Sequence, residues 1–110
     1  MTAMLPDFDM TNPLTTQTTA FLVFAQLAEL HPTLPGAYIT TSQISPTEAS
    51  VLLDTPADLE AWRLATHTEV DDVQLDDLKG DRKLHFTAPL GRITLKVFAV
   101  FAPASVAVSA

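Results

Sequence analysis

Side chains able to do chemistry are few and scattered in this chain. The histidines are His31, His67 and His85, and no two have the close helical or hairpin spacing that sets a pair of imidazoles on one metal ion. A zinc centre would have to draw its ligands from three separate elements, so no metal ligand is assigned. Cysteine is absent, which removes disulfides, thiolate metal sites and a thiol nucleophile together. No serine stands in a G-x-S-x-G setting. Gly36, Gly80 and Gly91 each fall in a turn-like stretch, not in a phosphate-cradling loop. His31 and His67 sit where helices are expected to end, a structural position that explains both more simply than catalysis. The residues therefore assign no catalytic group and no cofactor.

One cluster is conspicuous. Glu69, Asp71, Asp72, Asp76 and Asp77, followed by Asp81, form an acidic run. It lacks the central glycine and terminal glutamate of a calcium loop. The plain reading is a solvated edge strand that charge keeps from pairing in error. The alternative is a surface that imitates nucleic-acid phosphates and engages a basic partner protein. Lys79, Arg82 and Lys83 interrupt the run and weaken that alternative. The formal net charge of −7 argues against direct nucleic-acid binding, which draws its affinity from Lys and Arg on phosphates.

The elements that must position these groups are legible from punctuation and period. Asn12-Pro13 has the chemistry of a helix start, and the helix should run over 13–30 and stop before His31-Pro32. Strands are expected at 37–42 and 48–53, joined as a hairpin through Ser45-Pro46-Thr47. Thr55-Pro56 with Asp58 is the clearest helix start, and that helix should reach about Thr66 with Leu59 and Trp62 on its buried face. Alternation then predicts strands at 69–78, 82–87 and 92–101, with turns at Lys79-Gly80-Asp81 and Ala88-Pro89-Leu90-Gly91. The fold class is α+β: two layers, with a mainly antiparallel five-stranded sheet carrying two helices on one face, in the order α-β-β-α-β-β-β. With 110 residues, 47% of them hydrophobic, the chain reads as a single domain over 1–110, with 1–11 and 103–110 as candidate flexible ends. The lack of cysteine, of a signal-like start and of a long apolar run predicts a cytoplasmic protein with no membrane segment.

Two elements carry apolar surface to spare. The apolar arc of the first helix covers more than half its circumference, wider than the stripe one sheet requires. On the last strand Ile93, Leu95, Val97, Ala99 and Phe101 share one face. The other face begins with Arg92, Thr94 and Lys96 and turns to Phe98 and Val100. Phe98, Val100, Val23 and Leu30 are therefore the candidate interface residues of a homodimer. Val106 and Val108 continue the alternation after Pro103 and offer a further strand to a second copy.

The segments Leu34-Pro35-Gly36-Ala37-Tyr38-Ile39-Thr40 and Leu59-Glu60-Ala61-Trp62-Arg63, followed by a strand-rich half, resemble short uncharacterised proteins of actinobacteria and their mobile elements. The resemblance covers about two-thirds of the chain and implies a bacterial or phage accessory protein. It implies no particular chemistry. The functional expectation is a non-enzymatic binding or assembly module that self-associates. The alternative is an acidic inhibitor or adaptor acting on a basic partner in phage or plasmid biology.

Overall fold

Thr55-Pro56 starts a helix as its chemistry dictates. In the computed structural model, which describes residues 12–102, α2 spans Pro56–Ala65. The Thr55 hydroxyl accepts a hydrogen bond from the Asp58 amide at 3.1 Å, and Asp58 lies in the first turn. Leu59, Trp62 and Ala65 form its buried face. The helix closes in a Schellman turn: the His67 amide donates to the Leu64 carbonyl at 3.2 Å and the Thr68 amide to the Arg63 carbonyl at 3.0 Å. His67 takes the left-handed position of that turn, with φ of 56°, where glycine is the usual occupant. Left-handed backbone costs a side chain about 1–2 kcal/mol, and glycine's extra freedom in the unfolded chain offsets part of that. His67→Gly is therefore expected to raise stability by about 0.5–1 kcal/mol, read as a higher urea midpoint with unchanged slope. An unchanged or lower midpoint would show that the imidazole holds the turn.

The first helix departs from its expected start. A 3-10 turn occupies Leu14–Gln17, and α1 proper spans Thr18–Leu30. Asn12 does not cap it, because a tertiary contact competes: its side-chain amide donates to the Gln43 carbonyl at 2.7 Å, and its backbone amide to Gln43 Oε1 at 2.8 Å. The helix ends before His31-Pro32 as read from sequence. Only Ala20 and Leu27 of α1 are buried, with Val23 and Phe24 partly packed on the core.

The strands are β1 (Tyr38–Thr41), β2 (Glu48–Leu53), β3 (Gln74–Leu78), β4 (Asp81–Leu90) and β5 (Ile93–Phe101). They form one sheet in the order β1-β2-β5-β4-β3. The β1–β2 hairpin is antiparallel, β2 and β5 run parallel, and the β5–β4 and β4–β3 pairs are antiparallel. The architecture is thus α+β, two helices and a mainly antiparallel sheet in the order read from sequence. Ala49, Val51 and Leu53 of β2 stand beside Leu95, Val97 and Ala99 of β5, and all six are buried. Phe86 and Ala88 of β4 extend this face, and Ala20, Leu27, Leu59 and Trp62 pack on it, so both helices cover the same side.

Two boundaries differ from expectation for physical reasons. Residues 69–73 are not strand, since Val70–Asp72 forms a 3-10 turn and β3 is an exposed edge. Strand β4 continues through Ala88-Pro89-Leu90, where a turn was expected. Its neighbour β3 begins at Gln74, opposite His85, so Pro89 stands beyond the β3 ladder and its missing N–H breaks no pairing there. The expected flexible ends and the tail strand through Val106 and Val108 lie outside the described residues.

Candidate functional site

The side of the sheet away from the helices is uncovered by any described element. Alternation places Tyr38, Leu52, Phe98, His85 and Gln74 in one row across all five strands of this face. Phe98 is half-buried, with the Lys83 ammonium 5.2 Å from its ring centroid. His85 Nε2 lies 2.8 Å from Asp76 Oδ2, and Lys96 pairs with Glu48 at 3.2 Å. Val100 is exposed further along β5. The structure thus splits the four interface candidates. Phe98 and Val100 lie on the open sheet face, whereas Val23 and Leu30 belong to the helix layer on the other side.

The acidic run is also divided. Glu69, Asp71 and Asp72 surround the 3-10 turn, while Asp76 and Asp77 sit on the edge strand β3 with side chains on opposite faces. Asp76 is paired with His85, and Asp77 Oδ1 accepts from Arg82 Nε at 3.0 Å. These two contacts engage the β3 part of the run. Elsewhere, Arg63 grips both carboxylate oxygens of Glu60, at 2.5 and 2.8 Å. This hydrogen bonding holds the Glu60 carboxyl below its ordinary range and raises the Arg63 guanidinium.

The structure also joins two residues that sequence spacing kept apart. His31 and His67 line a single cleft of about 290 Å³, with Val23, Gln26, Leu30 and Leu90 among its walls. A second cleft of about 350 Å³ shares His31 and Ala65 with it. Among the described residues no group of three His, Asp or Glu side chains is placed to hold a metal ion. The only sequence signal for this meeting was that both histidines follow a helix. Which helix ends meet is decided by the sheet beneath them.

The outward side of the first helical segment and the neighbouring edge strand is apolar and nearly free of charge. Leu14, Phe21, Leu22 and Leu30 of the first helical segment are exposed, Leu22 to 59%. On the edge strand β1, Tyr38 is 65% and Ile39 44% exposed. The two elements are tied by a hydrogen bond from Gln17 Nε2 to Thr41 Oγ1 at 2.6 Å, and Phe24, Ala28 and Ile39 line a common cleft. Between Met10 and Thr47 the only Asp, Glu, Lys or Arg is Glu29. No described helix is long and apolar enough to cross a membrane. Comparison with protein families, curated proteins and solved structures finds no match to this chain.

Proposed function

We propose that this chain is a non-enzymatic assembly module that self-associates through the neutral layer formed by α1 and the β1 edge. The observation that carries the reading is charge segregation. In a chain of net charge −7, one continuous stretch of sequence holds a single carboxylate, and the structure exposes Leu14, Phe21, Leu22, Leu30, Tyr38 and Ile39 within it. Two acidic copies repel at most orientations, and repulsion is least where both present an uncharged face. A basic partner would instead be drawn to the acidic end around β3.

The energetics suit a reversible contact. Each fully buried Leu, Ile or Phe contributes roughly 1.5–3 kcal/mol, against an association cost of about 4–15 kcal/mol. Leu14, Phe21, Leu22, Tyr38 and Ile39, already partly shielded, supply less than the full amount from each copy. A micromolar to millimolar dissociation constant follows in order of magnitude.

Light scattering coupled to size exclusion, run over a range of concentrations, tests the proposal. A mass rising toward twice that of the monomer is expected. Leu22→Asp, at an exposed helix position, should keep the fold and return the mass to monomer. Phe98→Asp is its companion, and should leave the mass of the associated form unchanged. If only Phe98→Asp splits the assembly, the contact lies on the open sheet face. A strictly monomeric wild type at high micromolar concentration would end the reading.

A further inference from the structure

We infer that two copies join β1 to β1 across a two-fold axis, making one sheet continuous through both, with Ile39 opposite Ile39 of the second copy. This rests on the self-association proposed above and specifies its geometry.

The inference begins from the contrast between the two edges. An edge strand presents unpaired N–H and C=O groups and is blunted by charge where pairing is unwanted. Edge β3 carries Asp76 and Asp77, so pairing it with its own copy would set like charges together. Edge β1 reads Tyr38-Ile39-Thr40-Thr41, with no charge and β-branched or aromatic throughout. Tyr38, Ile39 and Thr40 are all exposed. Among the described residues, one edge is thus guarded and the other is open.

Side-chain alternation then fixes the register. Directly opposed residues of an antiparallel pair point to the same face, so a two-fold axis normal to the sheet must pass beside a residue, not between two neighbours. An axis at Ile39 sets the two Ile39 side chains against each other on the helix side. It also sets Tyr38 opposite Thr40 of the second copy on the open side, an aromatic and β-branched pair. An axis at Thr40 would instead oppose Ile39 to Thr41, whose hydroxyl is already engaged by Gln17. The first register buries more apolar surface and leaves that hydrogen bond in place. A pairing of β1 with β3 of the next copy would be heterologous and would propagate into open filaments, whereas the two-fold pairing closes.

The natural absence of cysteine makes the test direct. Single variants Ile39→Cys and Leu78→Cys place one thiol on each edge, both at partly exposed positions. Opposed residues lie about 4.5–5.5 Å apart at Cβ, within reach of a short bis-maleimide and, after small adjustment, of a disulfide. Ile39→Cys is expected to give a covalent dimer, and Leu78→Cys to stay monomeric under the same treatment. Thr40→Lys, exposed and on the open face, should weaken association by about tenfold or more with the circular dichroism spectrum unchanged. Loss of the dimer in Leu22→Asp, with no crosslink at Ile39→Cys and no effect of Thr40→Lys, would overturn the edge pairing and leave self-association standing. Crosslinking at Leu78→Cys, or masses growing beyond a dimer, would overturn the two-fold closure. A monomer under all conditions would overturn both.

Discussion

Trp62→Ala is expected to cost about 3–5 kcal/mol of folding stability, the range for large aromatic truncations in packed cores. Trp62 is 3% exposed, on the face of α2 that meets the sheet. Its indole Nε1 donates to the Pro35 carbonyl at 2.9 Å, and its ring lies 6.5 Å from that of Phe24. One side chain therefore joins α2, α1 and the segment leading into β1. Truncation opens a void and leaves the Pro35 carbonyl without its donor. Trp62→Phe separates the two effects, since it keeps most of the ring packing and loses the hydrogen bond, at a cost nearer 1–2 kcal/mol. Trp62 is the sole tryptophan, so both variants need urea denaturation followed by circular dichroism. A cost under about 1 kcal/mol for the alanine variant would contradict the packing described for this ring.

Leu27→Ala is expected to cost about 2–4 kcal/mol, and to act first on α1. Leu27 and Ala20 are the only buried residues of that helix. Leu27 also forms a wall of both the His31/His67 cleft and the neighbouring cleft beside Trp62. Removing its side chain merges two hollows where little is present to collapse inward. Backbone amides of α1 should then lose hydrogen-exchange protection well before those of β2, β4 and β5. Equal loss of protection in helix and sheet would show that α1 and the sheet open as one unit. The same variant bears on self-association, because an undocked α1 no longer holds Leu22 and Phe21 on a fixed surface.

What the sequence determined by itself was whatever a few neighbouring residues settle. Thr55, Pro56 and Asp58 specified the start of α2, because a cap, a fixed φ and a dipole contact act within one turn. The alternation of Ile93, Leu95, Val97 and Ala99 specified which side of β5 faces the helices, because a one-residue slip would expose all four. The charge-poor stretch ending near Thr47 was present in the sequence, although its place on an edge was not. Tertiary structure alone decided that β5 lies between β2 and β4 with a parallel partner on one side, since any buried strand with this alternation fits several neighbours. It also decided that Pro89 continues a strand, that Asn12 bonds Gln43 and does not cap α1, and that Val23 and Phe98 fall on opposite sides of the sheet. His31 and His67 share a cleft for the same reason. Pairing between distant segments places helix ends and strand faces together, and local chemistry carries no record of which segments will pair.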